Sequence, residues 1–169
     1  YLDEVVHSAT RAVRPLAERR GVRVELQPVM DAPFHDDADL LGRLLLNLLD
    51  NAIKFSVRGG TVSVELAERG VAGASVYEVR VVDDGPGIPA DVQERVFERF
   101  FRGDPARGRV EQTETSGAGL GLAISRRIAE AHDGTLQLVS SRPGRTEFLL
   151  TLPAPQASTP AAVPVPARA

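Results

Sequence analysis

The sequence predicts an α+β fold, a two-layer α/β sandwich in which helices cover one face of a mixed, mostly antiparallel sheet. Segments with helical and with strand periodicity follow one another without the strict alternation of a doubly wound parallel sheet. Near the middle of the chain, two strand-like segments are separated by a short polar loop, which is typical of antiparallel neighbours. The length of 169 residues fits one domain with short flanking segments.

The first half of the chain predicts a helix, a strand and a second helix. Residues 2–20 carry apolar side chains at steps of three and four, the pattern of an amphipathic helix. Residues 22–26 alternate between apolar and polar, as in a half-buried strand. Asp36 or Asp37 is suited to cap the next helix, whose broad stripe of leucines ends near Phe55.

The second half predicts mainly strands. Residues 62–66 and 77–81 alternate in the same way and form the expected antiparallel pair. The later elements are a short helical piece ending at 97–102, a helix around 124–131, and strands at 136–139 and 147–152. Residues 153–169 are rich in proline and alanine, so we expect a disordered tail.

Composition argues against several classes of function. With 20 basic and 23 acidic residues the net charge is -3, so there is no basic field for nucleic acid, and none is expected as a partner. The absence of cysteine rules out disulfides, thiolate metal sites and cysteine nucleophiles. No apolar run approaches the roughly 20 residues of a membrane helix, so we expect this chain to be soluble. Because it begins with Tyr1 rather than Met, we expect a fragment.

Three polar residues share one face of the leucine-rich helix. Asn47, Asn51 and Lys54 stand at positions i, i+4 and i+7, so their side chains converge while the leucines occupy the other side. Amide oxygens suit Mg²⁺, which takes few protein ligands together with substrate phosphates, and a lysine offers phosphate a point charge. The alternative is an ordinary solvated helix face.

A carboxylate closes the strand that ends at Asp83. Gly85 and Gly87 follow it and permit a ligand to approach the backbone closely. A carboxylate only accepts hydrogen bonds, so it favours an exocyclic amino group, as on adenine. Asp84 is expected to face solvent. The alternative is a simple Asp-Gly turn.

Gly117, Gly119 and Gly121 precede the helix around 124–131. A glycine-rich helix start offers free N–H groups and a positive dipole end to phosphate. The spacing matches neither a P-loop nor a dinucleotide fingerprint, and a hinge is the alternative. Upstream, Arg102 closes a phenylalanine cluster, formed by Phe97, Phe100 and Phe101, and could clamp a triphosphate. The alternative for the phenylalanines is a place in the core. Residues 103–116 are expected to be mobile.

The three histidines are scattered over different elements. His7, His35 and His132 have no second histidine or carboxylate at ligand spacing, so we interpret all three as structural. His7 also lacks the acidic neighbour and later proline expected around a phosphoaccepting histidine.

Taken together and in this order, the motifs resemble the catalytic domain of sensor histidine kinases, in the superfamily shared with type II topoisomerases and mismatch-repair ATPases. Residues 47–56 look like the N box, 83–88 like the G1 box, 97–102 like the F box and 117–122 like the G2 box. The resemblance covers about 21–152 and implies a Bergerat-type ATP-binding fold.

By this resemblance, Asn51 and Asn47 hold Mg²⁺, and Asn47, Lys54 and Arg102 serve in catalysis. Residues 103–116 would form a lid over ATP. The implied ATP-binding residues are Asn47, Asn51, Lys54, Phe55, Asp83, Gly85, Gly87, Ile88, Phe100, Arg102, Gly117, Gly119, Leu120, Gly121, Leu122 and Thr146.

The resemblance also implies a division of labour with other domains. Residues 1–20 would connect to a missing dimerisation and phosphoacceptor domain, 21–152 would bind Mg-ATP, and a histidine upstream would receive the γ-phosphoryl group for relay to a response regulator. The parent protein would be a homodimer anchored in the bacterial inner membrane with this domain in the cytoplasm, and the fragment a monomer.

Related proteins with other activities are the alternatives. Hydrolysing relatives carry a glutamate base where this chain has Asn47, and an amide cannot take a proton from water. Anti-sigma-factor serine kinases share most boxes, although the F box and the Lys54-Phe55 pair favour a histidine kinase. A catalytically silent ATP-binding module is the third alternative. One departure from the family is Arg145, where glycine is often found, and it puts the local phosphate-side geometry in doubt.

Overall fold

A computed structural model describes residues 1–71, 74–101 and 119–155. In chain order the elements are α1 (Leu2–Arg20), β1 (Arg23–Leu26), α2 (Ala38–Phe55), β2 (Thr61–Val71), β3 (Ala74–Asp83), a 3₁₀ helix (Ala90–Arg95), α3 (Gly121–Ala131), β4 (Thr135–Arg142) and β5 (Arg145–Pro153). The three longer helices and all five strands that the sequence predicts are present, with ends displaced by a few residues. The short helical piece predicted to end at 97–102 is instead a 3₁₀ helix that ends at Arg95, and residue 102 lies outside the described residues.

The ends of α1 and α2 follow local chemistry. Asp37 is the N-cap of α2, and its carboxylate accepts from the N–H groups of Asp39 and Leu40, both at 3.0 Å. Of the two predicted caps the structure therefore selects Asp37. Gly21 ends α1 in the left-handed conformation with a φ of 65°, which costs glycine least.

The strands form one sheet in the order β1-β2-β3-β5-β4. The β1–β2 pair is parallel, and the other three pairs are antiparallel. The predicted α+β class with a mixed, mostly antiparallel sheet is confirmed. In the central β3–β5 pair, Asp83 lies opposite Thr146. Because neighbours in register point to the same face, these two polar side chains are brought together.

The helices cover one face of the sheet. Leu44, Leu48 and Ile53 of α2 are fully buried against inward-facing strand residues such as Val79 and Leu150. Each buried leucine or valine contributes about 1.5–3 kcal/mol relative to exposure. The other face carries charged residues at alternate strand positions, so the alternation seen in the sequence separates a core side from an open side.

Helix α1 is part of this same core. Leu2, Val6 and Val13 are buried on its inner side and belong to the cluster formed by α2 and the sheet. The packing therefore gives no reason to place a domain boundary at residue 20. Whether α1 connects to an upstream helical domain stays a prediction.

Two predictions lie partly or wholly outside the described residues. The tail of 153–169 is described only to Pro155, and residues 103–116 are not described. Among the described helices, none combines the length and the apolar character needed to cross a membrane.

Candidate nucleotide-binding site

Asp83 ends β3 in a buried position. Its side chain is on the helix-covered face and the residue is only 6% exposed. One carboxylate oxygen, Oδ1, accepts the N–H of Gly85 at 2.9 Å. Burial raises the pKa of Asp83 from 3.8 to about 6; the bond from Gly85 opposes this rise and the charge of Asp84 adds to it. A further donor from a ligand would stabilise the carboxylate.

The loop after Asp83 needs both of its glycines. A Cβ on Gly85 would lie 2.6 Å from the carbonyl oxygen of Phe55 and 2.7 Å from Asp83 Oδ1. Gly87 has a φ of +79°, and a Cβ there would lie 2.6 Å from the carbonyl carbon of Arg142. Close packing of the loop against Phe55 and Arg142 therefore requires glycine at both positions. That these glycines admit a ligand to the backbone stays a prediction.

Thr146 supplies a second buried polar group beside Asp83. It is 4% exposed, and its Oγ1 lies 3.2 Å from Ser141 Oγ. Ser141 Oγ in turn accepts the N–H of Ile88 at 2.7 Å. Hydrogen bonds thus join Thr146, Ser141 and Ile88 into one wall, and Asp83 lies beside it, opposite Thr146 in the sheet.

The polar face of α2 runs from this wall to α3. Asn47, Asn51 and Lys54 are all partly exposed, on the side away from the buried leucines. Phe55 is 47% exposed, and Lys54 Nζ lies 5.5 Å from the centroid of its ring. Asn47 Nδ2 donates to Ser125 Oγ at 3.3 Å, so this amide also connects α2 to α3.

The start of α3 meets the end of the phenylalanine cluster. Phe100 N–H donates to the carbonyl of Gly119 at 3.0 Å. Gly119 has a φ of +69°, and a Cβ there would lie 2.8 Å from the carbonyl oxygen of Phe101. Phe100 itself has a φ of 61° and is 70% exposed, an unusual combination for an aromatic residue.

The first turn of α3 faces α2. A Cβ placed on Gly121, the first residue of α3, would lie 3.8 Å from the side-chain amide carbon of Asn47. The N-cap residue Leu120 makes no side-chain cap hydrogen bond. The first N–H groups of a helix have no partner within the helix, so this turn presents donors near the polar face of α2. Leu122 is half-buried against the core.

The structure thus brings together most of the predicted site residues. Asp83, Gly85, Gly87, Ile88 and Thr146 form one end, which we call the base end. Asn47, Asn51, Lys54, Phe55, Phe100, Gly119, Leu120, Gly121 and Leu122 form the other end, which we call the phosphate end. Arg102 and Gly117 lie outside the described residues.

One expectation about this region is wrong. Asp84 was expected to face solvent, yet it is only partly exposed and its Oδ2 accepts the N–H of Thr61 at 2.8 Å. Asp84 therefore joins the end of β3 to the start of β2. The sequence could not indicate this, because Thr61 is 23 residues away.

Arg145 does not disturb the site. Its side chain lies on the open face of the sheet, where Nη2 donates to Glu147 Oε2 at 2.7 Å. Burial alone would raise the pKa of Glu147, but hydrogen bonds and charges from Arg145 and Arg80 outweigh it and hold that pKa below its usual value. Thr146, one residue on, points to the opposite face.

The histidines lie away from the site residues. His7 and His35 are exposed. His132 is 4% exposed, with Nδ1 2.7 Å from the carbonyl of Ile128 and Nε2 3.5 Å from an oxygen of Asp36. Within residues 1–71, 74–101 and 119–155, no three histidine or acidic side chains cluster as a metal site would require.

Sequence reasoning missed four contributors to the site. Ser141, Gln93, Gly144 and Ser125 make the contacts that hold the loop after Asp83 and the start of α3. None of them stands in one of the four boxes. Ser141, Gly144 and Ser125 contact residues that are distant in sequence, and Gln93 contacts both Ile88, five residues before it, and the distant Ser141. An isolated serine or glutamine in a sequence does not indicate that its side chain will hold a binding site in place.

The chain is similar to known kinases over most of its length. Residues 36–156 match the family described as histidine kinase-, DNA gyrase B-, and HSP90-like ATPase. The sensor-like histidine kinase SenX3 of Mycobacterium tuberculosis is 42% identical over 154 residues, which cover 90% of this chain and 35% of that protein. The kinase/phosphatase MprB of Mycolicibacterium vanbaalenii is 46% identical over 145 residues, which cover 86% and 28%.

Solved structures agree with this relationship. The mycobacterial sensor histidine kinase MprB superimposes with a TM-score of 0.73 at 34% identity, covering 90% of this chain and 95% of that one. Full-length ShkA in complex with AMPPNP gives a TM-score of 0.74 at 26% identity, covering 95% and 32%. The chain spans about a third of the curated relatives it matches, 35% and 28% for the two above. It belongs to the histidine kinase-, DNA gyrase B- and HSP90-like ATPase family, as a catalytic ATPase domain of the sensor histidine kinase type.

Proposed function

We propose that this domain binds Mg-ATP and transfers the γ-phosphoryl group to a histidine on a separate upstream domain, for later relay to a response regulator. The observation that carries the proposal is the pairing of two ends in one site. A buried carboxylate, Asp83, lies at the base end, and the polar face of α2 leads from there to the first turn of α3.

At the base end, Asp83 accepts a hydrogen bond from the exocyclic amino group of adenine. Its burial supports this role, because a desolvated carboxylate gains strongly from a donor. Thr146 offers a hydroxyl on the same face, and the close packing of Gly85 against Phe55 and of Gly87 against Arg142 holds the loop beside Asp83. Ile88 provides apolar surface at the edge of the base, and Phe55, the exposed ring at the end of α2, adds to it from the phosphate end.

At the phosphate end, the residues suit a triphosphate with its metal. Asn51, assisted by Asn47, would hold Mg²⁺ through amide oxygens, which are ligands this ion accepts. Bound there, Mg²⁺ would neutralise charge on the phosphates. Lys54 adds a positive charge, and the N–H groups around Gly119–Leu122 favour anionic oxygens. The assignment of Arg102 and Gly117 rests on the family resemblance.

The transfer step needs positioning more than acid–base chemistry. A neutral imidazole nitrogen attacks the γ-phosphorus, the bond to the bridging oxygen breaks, and ADP leaves. Asn47 stands where hydrolysing relatives place a glutamate base. Its amide donates to Ser125 and cannot activate water, which supports transfer over hydrolysis.

The partners follow from this chemistry. Because the side chains of His7 and His35 are exposed, apart from the site, and His132 is buried, none of them is the proposed acceptor. The acceptor belongs to upstream helices of the parent protein, which we propose is a membrane-anchored homodimer with this domain in the cytoplasm. The 169-residue chain itself would be a monomer.

Labelled ATP with Mg²⁺ tests the proposal on two proteins, the 169-residue chain and the longer parent protein. We expect ATP binding by both and label only on the parent, in the acid-labile, alkali-stable form of phosphohistidine. Acid-stable label on a serine of an added protein would favour the serine-kinase alternative. Binding without any transfer by the parent would favour a silent module, and stable label on His7, His35 or His132 would contradict the proposed acceptor.

A further inference from the structure

The loop from Gly85 to Ile88 is held from outside the recognised motifs. Gln93 lies in the 3₁₀ helix that follows the loop, and its Nε2 donates to the carbonyl of Ile88 at 2.8 Å and to that of Ser141 at 3.2 Å. Ser141 Oγ accepts the N–H of Ile88 at 2.7 Å. Both backbone polar groups of Ile88 are therefore bound by side chains.

The β4–β5 hairpin also contacts this loop directly. The N–H of Gly144, in the hairpin turn, donates to the carbonyl of Gly85 at 2.8 Å. Gly87 is so close to Arg142 that no side chain would fit between them. The loop is thus attached to the hairpin at its first and last residues and pressed against it between them.

A β-bulge gives Ser141 its direction. Leu138 pairs with Phe148, but Ser140 pairs with Glu147, so one extra residue, Val139, is inserted in β4. Leu138 faces the core. In a regular strand, side chains two positions apart point to the same face, so without the extra residue Ser140 would also face the core. The bulge reverses this phase and turns Ser141 inward, toward Ile88 and Thr146.

We infer that Ser141 and Gln93 are positioning residues for the adenine base, an inference that rests on the proposed function. They contact the loop and not the ligand. By fixing Ile88 they hold the loop in one conformation beside Asp83, so the base does not have to order it on binding. Loss of one such hydrogen bond should weaken ATP binding about three- to tenfold.

Matched substitutions separate this role from general stability. Ser141→Ala removes the acceptor for Ile88, and Ser141→Thr restores a hydroxyl. Gln93→Glu is isosteric but replaces two donors with acceptors that face two carbonyls. The controls lie on the same strand: Ser140→Ala, on the open side, and Gln137→Glu, at an exposed position.

Calorimetry with Mg-ATP, Mg-GTP and inorganic triphosphate is the first measurement. We expect Ser141→Ala and Gln93→Glu to lose ATP affinity and ATP-over-GTP preference while triphosphate binding is unchanged. Ser141→Thr and both controls should match the wild type. Unchanged ATP affinity in both test variants, or equal losses for all three ligands with a matching fall in Tm, would overturn the inference.

Hydrogen exchange without nucleotide is the second measurement. The amides of residues 85–88 should exchange faster in Ser141→Ala and Gln93→Glu than in the two controls. If the wild type bound no ATP, the proposed function would fail, but hydrogen exchange would still show whether Ser141 and Gln93 hold the loop of residues 85–88 in place. If the wild type bound ATP and exchange were unchanged in both variants, only the positioning role would fail.

Discussion

The two ends of the site are built in different ways. The base end stands on neighbouring strands and is held by hydrogen bonds of 2.7–2.9 Å, from Gly85 to Asp83 and from Ile88 to Ser141. The phosphate end stands on two helices, and the amide of Asn47 reaches α3 only at 3.3–3.5 Å. We therefore expect the base end to determine affinity, because it is preorganised, and the phosphate end to determine transfer, because its groups act on substrate phosphates.

Asn51→Ala should have the largest effect and act on transfer. Loss of a metal ligand removes stabilisation worth several kcal/mol, so phosphoryl transfer by the parent protein should fall at least about 100-fold. Folding should survive, because Asn51 is on the partly exposed face of α2. Asp50→Ala, at the exposed neighbouring position, is the matched control. Single-turnover kinetics at saturating ATP measures the effect, and retained transfer would mean that Asn51 is a solvated helix residue.

Asp83→Asn should act on binding at the other end. Removing a charge-assisted hydrogen bond costs roughly 1.5–3 kcal/mol, so ATP affinity should fall about tenfold or more. Asp84→Asn should instead lower the free energy of unfolding by about 1–3 kcal/mol, since Asp84 supports the N–H of Thr61. Calorimetry on both variants measures the effect on ATP affinity, and chemical denaturation measures the effect on stability. An equal loss of ATP affinity in both would contradict the assignment of Asp83.

The pH dependence should follow Asp83 as well. The pKa of this carboxyl is raised to about 6 by burial, and a donor from adenine binds the ionised form more strongly than the protonated form. ATP affinity should be constant above pH 7 and fall as the pH drops through about 6. In Asp83→Asn this dependence should disappear, and its persistence there would assign it to another group.

Protonation of Asp83 should weaken ATP binding, but in the protein without nucleotide it should stabilise the fold. Its pKa is higher in the folded state than the ordinary 3.8, so the folded protein binds this proton more tightly. The contribution of Asp83 to the free energy of unfolding is complete below about pH 3.8 and is lost as the pH rises through about 6. Chemical denaturation of the wild type and of Asp83→Asn at several pH values in this range measures the contribution, as the difference between their free energies of unfolding.

Arg145→Gly should have the smallest effect. The arginine lies on the open face and is 44% exposed, so its ion pair with Glu147 contributes about 1 kcal/mol or less. ATP affinity should change less than about twofold, since that ion pair does not touch the site. A large loss in calorimetry would show that the two faces of β5 are coupled.

The sequence by itself determined the elements and the composition of both ends. Helical and strand periods, the spacing of Asn47, Asn51 and Lys54, and the place of Asp83 at a strand end are local properties, so one chain sufficed to predict them. These features depend on residues within a few positions of one another.

Only the tertiary structure decided which distant residues complete the site. The bulge at Val139 turns Ser141 inward, the register sets Thr146 opposite Asp83, and folding brings Asp84 to Thr61. The same register places Arg145 on the open face, and packing makes α1 part of the core. Each depends on strand phase or on contacts between residues far apart in sequence. A slip of one position would reverse the face of every side chain in a strand, and local periodicity carries no information about that choice.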